Sequence, residues 1–243
     1  HGAAFRTMLL IDAWWSLREA GHLNAQLSSD ILTALRLHGE YLVQPENYEA
    51  DNNHAITQGA ALLLLAHNFP DLENADAWGQ LARERIDDSL TRVIDPDGVL
   101  VENSPYYHFY VLEKYWEIYA YVHEHDIYIS DTFDDTIADM ITFATYVTRP
   151  DNSVPLLGAS IPRTLRHSSF YQSITADRPD FEYVLTQGAS GEQPDELDTW
   201  YPSSGIALWR SGWGTERPYE DESFVLFDTG PYRTDHSDLD ALS

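Results

Sequence analysis

Glu102-Asn103-Ser104-Pro105-Tyr106-Tyr107-His108 is the stretch that organises the chain, and an Asp95-Pro96-Asp97-Gly98 turn precedes it. Ser104 is a favourable N-cap and Pro105 suits the first helical position, so the stretch predicts the start of a long aromatic helix. Its tyrosines and histidine then lie in the first turn, where unpaired N–H groups make the field positive. A phenol and an imidazole there can transfer protons beside an anion. The structural alternative is a capped helix whose first aromatic side chains only pack.

The chain is strongly acidic. Asp and Glu number 40 against 14 Lys and Arg in 243 residues, which gives a formal net charge of -26, and Lys114 is the only lysine. The acids are scattered through a sequence that is 43% hydrophobic and 13% aromatic, so they do not form a disordered tail. Such a surface repels nucleic acids and anionic membranes on average, and neither is expected as a partner. We expect a folded, acid-coated protein adapted to high salt.

The chain contains no cysteine, which excludes disulfides and thiolate chemistry and leaves the compartment undetermined, with a secreted or periplasmic one favoured. The longest apolar run, Ala60 to Ala66, is far shorter than the roughly 20 residues of a membrane span and suits a core helix. Phe5 to Ala20 predicts a helix already under way, and Asp240 to Ser243 carry no terminating signal. We therefore expect a piece of a longer chain, whose oligomeric state the sequence leaves open.

Helical periodicity dominates the first 150 residues. It predicts six helices of similar length, the second capped by Ser29 or Asp30, at about 5–20, 29–41, 53–67, 75–93, 105–123 and 132–148. Short connections predict antiparallel hairpins, in which alternate helices start at the same end. The starts of the third and fifth helices are then expected at one mouth of the bundle. Asn52-Asn53-His54 would thus come within reach of Tyr107.

The pattern changes after residue 150. Asn152 to Pro162 is loop-like, and Ser168 to Leu185 predicts one more short helix or two, before a linker rich in Gly, Pro and acids. Gly205 to Trp209 and Ser223 to Asp228 then predict strands. We infer two domains, a helical array and a linker with the first strands of an incomplete all-β domain, at 1–187 and 188–243.

Three clusters of residues can carry chemistry. Asn52-Asn53-His54 lies at a predicted helix start, where a capping asparagine is the structural alternative. Tyr106-Tyr107-His108 is the second cluster. The third, Asp235 to Asp240, includes His236 and can bind a cation or form a solvated acidic loop.

Other classes of site are poorly supported. The sequence has no Gly-rich phosphate loop, no Gly-x-Ser-x-Gly elbow and no His-Glu-x-x-His zinc helix. A glycosidase with two catalytic carboxylates stays open, because the 40 acids supply many pairs.

Several short motifs follow one another from about residue 50 to the end of the chain. They are Asn52-Asn53-His54, Gly59, Phe69-Pro70, Trp78, Pro96-Asp97-Gly98, Glu102, Ser104-Pro105, Tyr107-His108, Gly230-Pro231 and His236 to Ser243. In order and spacing they resemble the heparinase II/III-like polysaccharide lyases, which include relatives acting on alginate. The resemblance implies a mainly α fold, an (α/α) toroid followed by an antiparallel β-sandwich, with the active site in the cleft between them. The helix hairpins and strands predicted from periodicity agree with it.

The resemblance also implies β-elimination of a uronic-acid polysaccharide. The proton alpha to the C5 carboxylate is too weakly acidic to be removed until hydrogen-bond donors neutralise that carboxylate. By resemblance, Asn53 with His54 takes this role. Tyr107 then transfers protons at C5 and the glycosidic oxygen, and His236 is the partner acid/base. Further predicted contacts with the substrate are Glu102, His108, Arg233 and Tyr106. If the alignment with the family motif is shifted by one residue, Tyr106 takes the catalytic role in place of Tyr107.

One departure from the family concerns metal binding. Where the family often has His-x-His-x-Asp, this chain has His236-Ser237-Asp238-Leu239-Asp240. The second imidazole is a structural zinc ligand in several relatives, and Asp238 stands in its place. A carboxylate can also bind zinc, so a structural zinc or another divalent cation in the β-domain stays open, and no other cofactor is expected.

The leading hypothesis is a lyase that acts on an anionic uronic-acid glycan, either heparan-like or alginate-like. Two alternatives belong to other classes: a non-catalytic carbohydrate-binding or scaffold toroid, and a glycoside hydrolase on a similar toroid. The product of elimination carries an unsaturated uronate, which absorbs ultraviolet light and distinguishes a lyase from both.

The acid excess makes a prediction about salt. Mutual repulsion of the 40 acids should destabilise the folded state in dilute buffer and be screened in molar salt. Chemical unfolding is therefore expected to give a higher free energy of unfolding in molar salt than in low salt. Equal stability in both conditions would contradict the proposed adaptation to salt.

Overall fold

The computed structural model describes residues 1–50, 54–166 and 168–230. These residues form two compact units. The first unit contains His1–Arg92 and Ala120–Phe133, and the second contains Val93–Tyr119 and the described residues from Asp134 onward. The domain boundary predicted at residue 187 stays a prediction, because compactness does not test whether a segment folds on its own.

The described residues contain eight α-helices followed by three β-strands. The helices are α1 Gly2–Glu19, α2 Ala25–Leu42, α3 His54–Asn68, α4 Ala75–Val93, α5 Pro105–Glu124, α6 Phe133–Val147, α7 Ser169–Thr175 and α8 Pro179–Leu185. The strands are β1 Asp198–Tyr201, β2 Ile206–Arg210 and β3 Phe224–Asp228. Within these described ranges, no helix has both the length and the apolar character that crossing a bilayer requires.

The six long helices agree with the periodicity of the sequence to within a few residues at each end. The largest difference is the start of α2 at Ala25. Asn24 is its N-cap, because the side chain of Asn24 accepts a hydrogen bond from the Leu27 amide at 2.9 Å. Ser29 and Asp30 lie inside this helix, so the predicted caps were wrong.

The second half of the chain has two features that the sequence did not resolve. Between Ser168 and Leu185 there are two helices, because Ser168 caps α7 and Pro179 provides the first position of α8. The strand β1 was not predicted, since its four residues directly follow an acid-rich linker. The other two strands lie where alternation of apolar residues predicted them.

The three strands form one antiparallel sheet in the order β1-β2-β3. Alternation along the strands gives the sheet two different faces. One face is buried and carries Tyr201, Ile206, Leu208 and Leu226. The other is exposed and carries Trp200, Trp209 and Phe227.

In the first unit, α1, α2 and α3 pack against one another, and a buried arginine closes the end of α2. Arg85 of α4 is 6% exposed and donates hydrogen bonds to the carbonyls of Leu42, at 2.6 Å, and Val43, at 3.1 Å. Its guanidinium also lies 4.2 Å from the ring centre of Tyr48. The cation therefore neutralises the negative end of α2 and holds the segment that leads to α3.

In the second unit, another buried arginine ties the sheet to the segment after α6. Arg210 of β2 is 2% exposed and donates a hydrogen bond to the Thr148 carbonyl. Its guanidinium lies 4.2 Å from the ring centre of Trp213, which packs in an apolar cluster with Val184 and Tyr219. Burial lowers the pKa of Arg210, and the electron-rich faces of the aromatic rings offset part of its desolvation.

The contact between α2 and α4 can be tested at Gly39. A Cβ at this position would lie 2.5 Å from the ring of Trp78, so Gly39→Ala is expected to lower the free energy of unfolding by about 1–3 kcal/mol through overpacking. Gly79→Ala is the matched control, because its new methyl would meet its nearest neighbour, Ala66 Cβ, at an ordinary 3.4 Å. The control should be neutral or stabilising by up to about 1 kcal/mol. Urea unfolding measures both, and equal effects would contradict the packing.

Candidate active site

The predicted site begins with the turn before α5. Asn103 has a left-handed backbone with φ of 50°, a conformation that asparagine adopts more readily than most residues. Its backbone N–H donates to the Leu100 carbonyl at 3.0 Å, and its side-chain Nδ2 donates to the Ser204 carbonyl at 3.3 Å. Asn103 is 3% exposed. The residue that leads into α5 is therefore fastened to the turn between β1 and β2.

Gly230, the last residue of the described range, lies against the same turn. A Cβ at Gly230 would lie 2.6 Å from Asn103 Nδ2 and would collide with the Ser204 carbonyl. Gly205 has φ of 75°, and a Cβ there would meet the Gly230 backbone at 2.5 Å. Only glycine fits at positions 205 and 230, where the turn, the residues after β3 and the side chain of Asn103 meet. The chain thus leaves β3 beside the start of α5, six residues before His236.

The hydroxyl of Ser160, a residue distant in sequence, contacts the first turn of α5. Ser160 Oγ accepts a hydrogen bond from the Tyr106 amide at 3.2 Å and lies 3.1 Å from Ser104 Oγ. We expected the N–H groups of the first turn to face a ligand. One of them, the Tyr106 amide, instead donates a hydrogen bond within the protein. No sequence signal pointed to Ser160, because the contact joins residues 54 apart.

Tyr106 and Tyr107 lie side by side in the first turn, as predicted, and both are half-buried. Their rings meet edge to face, with 5.2 Å between the ring centres, and the ring of Tyr107 also meets that of Tyr110 at 6.4 Å. The guanidinium of Arg163 lies 5.9 Å from the ring centre of Tyr106. A guanidinium therefore packs near the ring of Tyr106.

His108 is buried in the second unit, with 1% of its surface exposed. Its Nδ1 accepts a hydrogen bond from the Leu100 amide at 3.3 Å, and its Nε2 donates to the Met140 carbonyl at 3.0 Å. Burial lowers the pKa of His108 from 6.5 to about 4, so the ring is neutral at pH 7. This placement favours a structural role for His108, and its predicted contact with a substrate stays untested.

Glu102, a predicted contact with the substrate, is buried, with 6% of its surface exposed.

The predicted Asp-Pro-Asp-Gly turn precedes Glu102. Within that turn, Asp95 Oδ1 accepts hydrogen bonds from the amides of Asp97 and Val99, at 2.9 and 3.1 Å. Gly98 has φ of 78°, and a Cβ there would lie 2.5 Å from the Asp139 backbone. The glycine is therefore needed both for the turn and for its close approach to α6.

His54 is the first residue of α3, in the first unit. Its Nδ1 donates a hydrogen bond to Glu49 Oε2 at 2.7 Å, and this bond lowers the pKa of Glu49. The Glu49 amide in turn donates to Gln58 Oε1, at 3.0 Å, and Gln58 Nε2 donates to the Asn47 carbonyl, at 2.7 Å. Glu49 thus fixes the orientation of the imidazole, and the sequence did not identify it, because it lies in an irregular segment before the helix.

Four predicted site residues lie outside the described residues, namely Asn53, Arg233, His236 and Asp238. Their roles stay predictions. His54 and Tyr107 belong to different units, and the predicted convergence of the two helix starts likewise stays a prediction. Among the described residues, no group of three or more His, Asp or Glu side chains could hold a metal ion.

Comparison with known proteins identifies the family. A family model described as the N-terminus of heparinase II/III matches residues 3–183, about three quarters of the chain. The chain belongs to the heparinase II/III family. Relatives that act on alginate, which the sequence resemblance included, are not among the proteins described below.

Two curated relatives have the name heparin-sulfate lyase. One, from Bacteroides stercoris, is 22% identical over 179 residues, which cover 70% of this chain and 26% of the relative. The other, from Bacteroides thetaiotaomicron, is 23% identical over 235 residues, covering 83% of this chain and 33% of the relative. The chain therefore spans about a quarter to a third of the length of the curated heparinase II/III relatives that it matches.

Solved structures of the family have the same fold. A crystal structure of heparinase III has a TM-score of 0.76 at 21% identity, covering 94% of this chain and 36% of that one. The heparan sulfate lyase HepC from Pedobacter heparinus has a TM-score of 0.71 at 19% identity, covering 87% and 33%. The likeness confirms the predicted fold class, an (α/α) toroid of helix hairpins followed by antiparallel strands.

The buried His108 predicts a pH dependence of stability. Its pKa is near 6.5 when unfolded and about 4 when folded, so the unfolded state binds more protons between these values. Stability conferred by the neutral ring is full above pH 6.5 and is lost as the pH falls to 4, by up to about 3 kcal/mol.

Urea unfolding from pH 4 to 7 tests this dependence. His108→Gln should weaken the loss of stability over that interval, while His22→Gln, a change at an exposed histidine, should leave it as in the wild type. Parallel curves for the wild type and His108→Gln would contradict the neutral buried imidazole.

Proposed function

We propose that the protein is a polysaccharide lyase that cleaves a uronic-acid glycan by β-elimination, and that this glycan is a glycosaminoglycan of the heparan type. The observation that carries the proposal is the start of α5. There Tyr107 stands in the first helical turn, beside a turn that packs against Gly230, six residues before His236. Membership of the heparinase II/III family supports the same chemistry.

The first requirement of elimination is to neutralise the C5 carboxylate, because the adjacent proton becomes acidic only as negative charge is taken up by hydrogen-bond donors. Asn53 and His54 are proposed for this role. The position of His54 at the start of α3 supports it, since the field of a helix N-terminus favours an anion. Glu49 accepts the hydrogen bond from Nδ1 and so fixes the orientation of the ring.

The second requirement is proton transfer. Tyr107 is proposed to remove the C5 proton and to return a proton to the glycosidic oxygen, with His236 as the partner acid/base. Tyr106 is the second choice for this role, because Tyr107 is the tyrosine of the Tyr107-His108 motif that carries the family resemblance. We propose that Tyr106 instead supports the ring of Tyr107 through their edge-to-face contact at 5.2 Å.

The substrate class is proposed from the relatives. Those with the name heparin-sulfate lyase favour a heparan-like polymer over an alginate-like one, and the alginate-like substrate stays as the second choice. Both polymers have the uronate carboxylate that the chemistry needs. The predicted zinc at Asp238 is not needed by any step proposed here.

The test is the ultraviolet absorbance of the unsaturated product formed by the full-length protein. The wild type should release this chromophore from heparan sulfate. Tyr107→Phe removes one hydroxyl and little volume, so it should lower kcat by about 10²–10⁴-fold, the usual contribution of general acid–base catalysis, with the unfolding curve unchanged. Tyr110→Phe, a hydroxyl removed one turn further along α5, is the matched control and should retain kcat within a few-fold.

Three outcomes would contradict the proposal. Loss of elimination in Tyr106→Phe but not in Tyr107→Phe would move the base to the neighbouring residue. New reducing ends without the chromophore would indicate a hydrolase. Binding of the polymer with neither product would indicate a non-catalytic binding protein.

A further inference from the structure

His54, which is proposed to neutralise the substrate carboxylate, is held by a closed series of contacts that begins and ends on α3. Its Nδ1 donates a hydrogen bond to Glu49 Oε2 at 2.7 Å. The backbone amide of Glu49 donates to Gln58 Oε1 at 3.0 Å. Gln58 lies four residues after His54, about one turn further along the same helix. The contacts therefore run from the imidazole through Glu49 and back to the helix that carries the imidazole.

Gln58 is a buried amide in a helix whose other buried side chains are mostly apolar. It is 1% exposed, and both ends of its amide are bonded, because Nε2 also donates to the Asn47 carbonyl at 2.7 Å. Burying an amide costs free energy unless its hydrogen bonds are made. The two bonds therefore favour a single position for the backbone from Asn47 to Glu49.

A second anchor holds the same segment from α4. Tyr48 lies between Asn47 and Glu49, and the guanidinium of Arg85 lies 4.2 Å from the centre of its ring. The hydroxyl of Tyr48 donates to the backbone carbonyl of Arg85 at 3.2 Å. Arg85 is itself buried and bonded to the carbonyls that follow α2. The backbone that presents the Glu49 carboxylate is therefore fixed from two helices, α3 and α4.

The carboxylate of Glu49 acts as an acceptor. The hydrogen bond from His54 lowers the pKa of Glu49, so the carboxylate is ionised at pH 7 and only accepts hydrogen bonds. Nδ1 of His54 therefore carries the proton of this bond. The other oxygen, Oε1, accepts from the amino group of His1 at 3.3 Å, and the ring centres of His1 and His54 are 3.9 Å apart. The imidazole is thus contacted at Nδ1 and by a second ring.

Orientation matters for the proposed role of His54, because a donor lowers the barrier only if it already points to the place where charge develops. A histidine side chain rotates about two bonds, and ordering it during each turnover would cost free energy. The side chains of His54 and Glu49 are 37% and 41% exposed, and an ion pair so exposed adds little to the free energy of unfolding. Orientation of the imidazole is therefore the main effect of the pair.

We propose that Glu49 and Gln58 are positioning residues of the reaction. Gln58 holds the backbone of Glu49, and Glu49 holds the imidazole of His54. This inference rests on the proposed function and adds to it the residues that prepare the group facing the substrate carboxylate. Neither residue belongs to the motifs that carry the family resemblance, and neither has to touch the substrate, since both act through His54.

The first test changes Glu49 in the full-length protein and measures kcat/KM on heparan sulfate from the ultraviolet absorbance of the product. Glu49→Ala is expected to lower kcat/KM about 10–100-fold, the effect of losing one hydrogen bond to a charged group. Glu49→Gln keeps an oxygen that accepts from Nδ1, so it should lose less than about threefold. Glu46→Ala is the matched control, because Glu46 is exposed, lies three residues earlier and carries the same charge.

Two results of this test would overturn the proposal. One is an equal kcat/KM for Glu49→Ala and Glu46→Ala. The other is a loss in Glu49→Gln as large as that in Glu49→Ala, because the amide would then fail to restore the position of the ring.

A double-mutant cycle distinguishes positioning from general damage to the fold. If Glu49 acts through His54, Glu49→Ala should lower kcat/KM no further in a protein that already carries His54→Ala. Losses that multiply in the double variant would overturn the proposal, because they would give Glu49 a role independent of His54.

Gln58→Met tests the other end of the contacts, because methionine has a similar length and makes neither hydrogen bond. It should lower kcat/KM in the same direction as Glu49→Ala, and it should have no further effect in the His54→Ala background. A variant that folds and keeps the wild-type kcat/KM would remove Gln58 from the proposal. If the variant fails to fold, Gln58 is a structural residue and Glu49 alone is the positioning residue.

Nuclear magnetic resonance separates this inference from the proposed lyase activity. In the full-length protein with isotope-labelled histidine, the Nδ1 signal of His54 is identified by its loss in His54→Ala. It should show a protonated Nδ1 in the wild type, Glu46→Ala and Glu49→Gln, and it should change in Glu49→Ala. That change supports the positioning of His54 even if the wild type releases no unsaturated product and the lyase proposal fails. An unchanged signal in Glu49→Ala overturns it, even if elimination is observed.

Discussion

The contact of the Gly230 backbone with the Ser204 carbonyl and the side chain of Asn103 is the constraint on which the proposed site depends. It leaves no room for a side chain at Gly230, and Asn103 has a left-handed conformation two residues before α5. Because the contact is made by backbone atoms and one amide side chain, it fixes position more tightly than exposed side chains could. The consequence is that the helix carrying Tyr107 and the strand leading toward His236 are joined at one point, although they are more than a hundred residues apart in sequence.

Local signals explain what the sequence could predict. Apolar periodicity gave six long helices and two strands, and the Ser-Pro pair placed the start of α5 at Pro105. The predictions that were wrong or missing also have physical causes. The cap of α2 was misplaced because Asn24, Ser29 and Asp30 are all competent caps and only packing selects among them. Glu49 was missed in the candidate site because it lies in an irregular segment, and Ser160 and Arg163 were missed because their contacts with α5 join distant segments. Sequence spacing does not report such contacts.

Arginines of the described chain differ in burial and in their partners, and hence in their physical roles. Arg85 and Arg210 are buried, donate to backbone carbonyls and pack on aromatic rings, so their charge stabilises helix ends and the sheet. Arg149 and Arg163 are half-buried, and each has an acidic partner, since Asp151 interacts with Arg149 and Glu113 pairs with Arg163. A count of charges in the sequence does not separate these groups, because burial and partners decide whether a guanidinium is available to a ligand.

An acidic protein can bind the proposed anionic substrate because electrostatic repulsion and hydrogen bonding act over different distances. Repulsion between a protein of charge -26 and a polyanion acts over a screening length of about 10 Å at 0.1 M salt, which shrinks to about 3 Å at 1 M. Hydrogen bonds between guanidinium groups and sulfate or carboxylate oxygens act at about 3 Å or less, and within a pocket they are screened less than exposed charges are. Salt therefore removes the repulsion at a distance before it removes the attraction at contact. A few arginines at the proposed site would then suffice to bind a polyanion in salt, the condition to which we expect the acidic surface to be adapted.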